Sequence, residues 1–219
     1  MSDQTTTTTP TTPAPAGGIG TTRLEAFSDG VFAIATTLLI LEITVPQLEG
    51  DQAGGLGEKL LAQWPSYLAY LVGFYTIGIM WLNHHFLLGL IRRVDRPLIF
   101  ANLGLLVAIA FVPYPTAVLA EYLTSANSAD VGAALVLYGI AMLLISVFFT
   151  LMWAHARRAP ELLKAPDAAP PIIRRALMFC ALSILGYLVA IAIAFVAPVI
   201  SALLLVTIVG LFTIGRFAK

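Results

Sequence analysis

Long apolar runs, each closed by a short polar island, recur along the chain at 22–45, 58–91, 96–123, 131–155, 172–196 and 199–217. A helix of about 20 apolar residues crosses the hydrocarbon core of a bilayer, so the pattern predicts an all-α integral membrane protein with six transmembrane helices. The polar islands support these limits. Thr22-x-x-Glu25 has the capping-box pattern at the start of the first helix, and Pro46 with the following "QLEGDQAGGLG" closes it. "TSANSAD" separates the third and fourth helices, "RRAPELLKAPDAAPP" the fourth and fifth, and Pro198 marks a very tight turn between the last two. Pro113 and Pro115 in "FVPYPT" predict a bend in the third helix, where neighbouring helices can satisfy the freed carbonyls.

Composition fits a lipid environment. The 219 residues are 59% hydrophobic and 11% charged, with a mean hydropathy of +0.90. A soluble domain carries roughly a quarter of its residues as charges. Residues 1–20, "MSDQTTTTTPTTPAPAGGIG", lack an apolar core and predict a disordered tail. They also lack the basic and apolar regions of a signal peptide, so the first helix serves for insertion. A single cysteine, Cys180, rules out a disulfide framework or a cysteine metal site within one chain.

Net charge is zero, and the useful information is where each sign lies. Arg23 precedes the first helix. Arg92, Arg93 and Arg96 lie between the second and third. Arg157, Arg158, Lys164, Arg174 and Arg175 lie between the fourth and fifth, and Arg216 and Lys219 end the chain. Only Lys59 stands on the other side, so eleven of the twelve basic residues mark one face as cytoplasmic and both termini as inside.

Polar groups recur at one depth below that face. Asp29 is six positions from Arg23; His85, His84 and Asn83 are seven, eight and nine from Arg92; Asn102 is six from Arg96. At 1.5 Å per residue they share a level roughly 9 to 13 Å inward. An acid in hydrocarbon requires a partner and a protein or water environment. Ser28, Asp29, His84 or His85, Asn102 and the Trp81 indole are therefore expected to form one interhelical network. Structural glue between otherwise apolar helices is the favoured role. The alternative is a proton relay through Asp29 and a histidine. A metal site is disfavoured, because adjacent histidines on a helix point about 100° apart. His155, two residues from Arg157, reads as a headgroup-level residue.

On the first helix Phe27, Gly30, Ile34, Leu38, Leu41 and Val45 recur at spacings of three and four and share a narrow stripe, flanked by Thr37 and Glu42. Gly30, Ala33, Ala35 and Thr36 give the remaining faces small residues that admit close neighbours. Such a stripe ordinarily packs against lipid, a neighbouring helix or another chain. Thr36 and Thr37 are expected to return their hydroxyls to carbonyls one turn back.

Arg23-x-x-x-Phe27-Ser28-Asp29-Gly30-Val31-x-Ala33-Ile34, followed by Trp81-x-x-His84-His85, resembles the prokaryotic members of the transmembrane protein 175 family. These are potassium channels whose animal relatives work in endosomes and lysosomes. The resemblance extends over residues 21–219 and implies one six-helix channel domain following the 1–20 tail. The family lacks a Thr-Val-Gly-Tyr-Gly filter, and this chain has none. The resemblance implies a pore lined by the first helices, with Ile34 as the narrowest ring and Thr37 at a selectivity position. Leu38 and Leu41 would form further apolar layers, with Glu42 at the outer mouth. It also implies that Arg23, Phe27, Ser28 and Asp29 bind Trp81, His84 or His85, and Asn102. With one motif copy per chain, it implies a homotetramer in a bacterial plasma membrane that passes potassium, with no cofactor. Because potassium holds its water less tightly than sodium, partial stripping at an apolar ring predicts weak selectivity for potassium and caesium over sodium.

A proton-coupled cation or small-solute transporter using Asp29 and His84 or His85 is the alternative, though transporters usually show paired repeats and broken helices. No nucleophile, base and oxyanion set or metal triad suggests an enzyme, and no basic patch with interleaved aromatics suggests nucleic acid.

Overall fold

The computed structural model describes residues 21–47 and 55–217, with side chains through 210, so the 1–20 tail lies outside the described residues. Five helical segments are long and apolar enough to cross a membrane: Thr21–Glu42, Trp64–Leu90, Arg96–Tyr122, Ser128–Arg158 and Ala169–Ile193. The final helix, α8 (Pro198–Phe217), has 20 residues, of which the apolar stretch Pro198–Gly210 is shorter than those spans. Among the described residues the only β-pairing is an isolated antiparallel bridge between Ile91 and Leu163.

Three of the expected helices depart from a single uninterrupted rod, each for a local reason. The first is α1 (Thr21–Leu38), which tightens into a 3-10 turn, Leu39–Glu42, and then runs extended. It stops short of the expected residue 45 because Ile43, Thr44 and Val45 are all β-branched and Pro46 steers Val45 away from helical backbone. The extended segment is pinned from the next helices: Lys59 Nζ donates to the Gln47 carbonyl at 2.6 Å and Gln63 Nε2 to that of Thr44 at 2.9 Å. Thr22 lies inside α1, one residue past its start, and not at its cap.

The second span divides at Gln63 into α2 (Leu56–Ala62) and α3 (Trp64–Leu90). Pro65 has no N–H to continue the ladder but suits a first helical turn. The third divides at Val112 into α4 (Arg96–Phe111) and α5 (Pro113–Tyr122), at the prolines that predicted a bend. Carbonyls near the break are taken up locally. Val112 N–H donates to Ile109 at 3.1 Å, and the Thr116 hydroxyl donates to Val112 at 2.8 Å.

α6 (Ser128–Arg158) starts at Asn127, whose side chain accepts from the Ala129 amide, and it runs through the centre of the protomer. It packs against α4 and α5 on one side and α7 (Ala169–Ile193) and α8 on the other. Small residues allow the close approaches: a Cβ on Gly104 would strike the Phe148 ring, and one on Gly139 would meet Ile191 Cγ1 at 2.7 Å. The turn from α7 to α8 is as tight as expected, with the Ser201 hydroxyl donating back to the Ala190 carbonyl at 2.8 Å. α1 lies at the side of this assembly, against α3 and α4.

Candidate functional site

α1 has two faces of opposite character. Leu24, Ser28, Phe32, Ala35 and, in the 3-10 turn, Leu39 recur at spacings of three and four and are all buried. Leu39 wedges against Gly73 of α3, where an added Cβ would lie 3.1 Å from its Cδ2. The stripe found in the sequence occupies the other side. Phe27 (56% exposed), Ile34 (61%) and Leu41 (70%) lie largely uncovered by the chain, as do Gly30 and Val45, and Leu38 is partly so. The flanking Thr37 and Glu42 are exposed too. Thr37 Oγ1 donates to the Ile34 carbonyl at 2.9 Å and Thr36 Oγ1 to Phe32 at 2.7 Å, as expected. With its proton spent on the backbone, the Thr37 oxygen keeps its lone pairs on the exposed face.

The polar residues at the common depth resolve into two groups, where the sequence led us to expect one network. The first is enclosed. Asn102 of α4 donates through Nδ2 to Ser28 Oγ of α1 at 3.1 Å, and its Oδ1 accepts from His84 Nε2 of α3 at 2.7 Å. All three are at most 1% exposed, so one amide joins three helices with both of its ends used. Phe32 covers this triad, its ring centroid 5.3 Å from that of His84.

The second group lies on the exposed side. Trp81 Nε1 donates to Asp29 Oδ1 at 2.8 Å, and His85 stacks on the Trp81 indole at 5.7 Å between centroids. Adjacent histidines thus serve different groups, as the 100° between successive helical positions requires. Of the histidines that a proton-driven carrier could couple to Asp29, His84 hydrogen-bonds to Asn102, while His85 stacks on the same Trp81 indole that donates to Asp29. Arg23 and Phe27 are exposed and take no part in these hydrogen bonds.

One pair escaped the sequence reading. Asp95 caps α4, its Oδ1 accepting from the Leu98 amide at 3.1 Å, while its Oδ2 meets His155 Nε2 of α6 at 2.7 Å. His155 is more than a headgroup-level residue. The clue was Asp95-Arg96-Pro97, an N-cap acid followed by a first-turn proline, which fixes where that carboxylate sits. Its partner, 60 positions later, leaves no local signal.

Comparison with known proteins places this arrangement. Residues 23–113, which hold both helix motifs and Asn102, match the family described as the endosomal/lysosomal potassium channel TMEM175. The chain is 48% identical over 175 residues to a potassium channel of Streptomyces collinus, covering 80% of this chain and 82% of that one. It is 49% identical over 143 residues to a potassium channel of Chamaesiphon minutus, covering 65% and 69%. It also superposes on the crystal structure of a lysosomal potassium-selective channel TMEM175 homologue from Chamaesiphon minutus with a TM-score of 0.78. That match is 38% identical and covers 90% of this chain and 98% of that one. A match that runs through nearly the whole membrane region, and takes in α1 with its polar anchor, makes this chain a member of the TMEM175 family.

Proposed function

We propose that this chain is the subunit of a potassium-permeable cation channel, weakly selective for potassium and caesium over sodium. Four copies, each spanning the bacterial plasma membrane six times with both termini cytoplasmic, place their α1 stripes around one axis. Residues 21–219 form the channel domain and 1–20 a disordered cytoplasmic tail. The observation that carries this reading is the exposed face of α1. A helix locked to its neighbours by a buried polar triad leaves Ile34, Leu38 and Leu41 in a row that its own chain does not cover. The potassium-channel relatives supply the identity of the ion.

Ile34 is the narrowest ring in this reading, Leu38 and Leu41 are further layers, and Glu42 lies at the outer mouth. An apolar ring gives a potassium ion no ligand to replace its water, unlike a cage of carbonyls. A narrow ring dewets and blocks conduction. A wider one passes the ion with part of its hydration shell, assisted by the Thr37 oxygens and by Glu42. Potassium sheds water more readily than sodium, so partial stripping gives a modest preference.

The test is a reversal potential for the purified protein in planar bilayers, with potassium on one side and sodium on the other. Discrete openings that reverse toward the potassium equilibrium potential support the channel. Slow, saturable, proton-dependent flux without openings overturns it in favour of a carrier.

A further inference from the structure

Asp95 is used twice. One carboxylate oxygen caps α4, and the other holds His155 at the end of α6. The pair is partly open to solvent, with side chains 24% (His155) and 35% (Asp95) exposed. Close by, the 91–95 loop is stitched to the loop after α6: Arg92 N–H donates to the Leu162 carbonyl at 2.7 Å and Lys164 N–H to that of Leu90 at 2.9 Å. The start of α4 is thus fastened to the end of α6 by the Asp95–His155 contact, beside a short backbone bridge between the loops that adjoin them.

The same helix carries Asn102, two turns further in, which holds Ser28 of α1 and His84 of α3. Resting on the channel reading above, we propose that Asp95 and His155 are positioning residues of the pore, a proton-dependent latch that sets where α4 presents Asn102 to α1. Protonated His155 gives a charge-assisted bond to Asp95 and places a positive charge in the last turn of α6, where carbonyls lack helical partners. Neutral His155 keeps a hydrogen bond to the carboxylate but loses the ion pair, the α4 start loosens, and the four α1 helices lose their common register.

The other charged groups at this end are largely basic. They are Arg92 and Arg93 on the 91–95 loop, Arg96 on α4, Arg157 and Arg158 on α6, and Arg174 and Arg175 on α7. Glu161, Lys164 and Asp167 lie on the loop after α6, and Arg23 and Glu25 at the start of α1. Histidine is the side-chain type that ordinarily changes charge between about pH 5 and 8. On α3 the candidates of that type are His85, stacked on Trp81, and His84, enclosed with Asn102.

The experiment is potassium flux from liposomes holding the full chain, with both sides buffered at the same pH from 6 to 8. Flux at pH 6 in the wild type tests the channel itself and is scored separately. The latch predicts that wild-type flux falls about fivefold toward pH 8, the ratio given by roughly 1 kcal/mol for a partly exposed ion pair. In His155→Gln, which keeps a donor but cannot titrate, the profile is flat. In Asp95→Asn, which keeps the cap but loses the charge, the slope is lost as well. A wild-type profile that is flat overturns the latch. So does a slope that survives in His155→Gln, and in that case its loss in His85→Gln assigns the sensitivity to α3.

Discussion

Asn102 shows how much one side chain can hold. Its amide donates to α1 and accepts from α3 out of contact with water, so replacing it strands two buried polar groups at once. Asn102→Leu is expected to cost about 1–3 kcal/mol for each group left without a partner. Thermal unfolding in detergent measures this, and an unchanged midpoint would show that Ser28 and His84 find other partners. Ile34 behaves oppositely, because it is largely exposed and removing it takes little from the chain's own packing. Ile34→Asn should leave the unfolding midpoint within about 0.5 kcal/mol of wild type while raising potassium current by wetting the ring. A variant with unchanged conductance would mean that the constriction lies at another layer. The depth of these residues was readable from the sequence by counting inward from the arginines. Their partition was not. Whether His84 or His85 turns to Asn102 depends on the rotation of α3 about its axis, which is set by contacts with α1 and α5 that counting does not capture.

At the scale of elements, hydrophobic run length gave five of the six expected segments as helices long enough to span, and left their interruptions open, with one exception. Pro113 and Pro115 announced the α4–α5 break, but Pro65, which splits α2 from α3, stood inside a run whose apolar character continues on both sides. The end of α1 was placed three residues late, because apolar periodicity persists into Ile43–Val45 while the backbone has already turned extended. Close packing left a weaker trace still. Gly139 of α6 is one glycine among 17, and only its distance to Ile191 shows that α7 needs the space. Gly139→Ala trades a gain in helix propensity for overpacking against a β-branched neighbour, with a net loss of about 1–3 kcal/mol. Unfolding of detergent-purified variants decides this. A stabilised Gly139→Ala would mean that α7 shifts freely.

For the whole molecule, the lopsided placement of basic residues underlies the orientation we propose, and the unburied α1 stripe underlies the assembly we propose. Native mass spectrometry of the protein in detergent is expected to show four copies of the 23.4 kDa chain. Replacing Leu41 with glutamate, which puts four like charges near one axis, is expected to weaken that species while leaving the protomer folded. A stable monomer that conducts would overturn the shared pore. Assembly was not legible from one sequence. An exposed apolar stripe on a membrane helix reads identically whether lipid or another subunit covers it, and the family resemblance, not the periodicity, supplied the number four.

The two faces of α1 also bear on how such a sequence drifts over time. Leu24, Ser28, Phe32, Ala35 and Leu39 each touch the rest of the chain, so most changes there are filtered by whether the protein folds at all. Ile34, Thr37, Leu38 and Leu41 meet no such filter within the protomer. Along a single helix, then, one set of positions is held by inheritance of the fold and, in the pore we propose, an interleaved set is left to selection by what passes over it. On that proposal, descendants of such a chain can acquire new ion preferences in single steps without first securing extra stability.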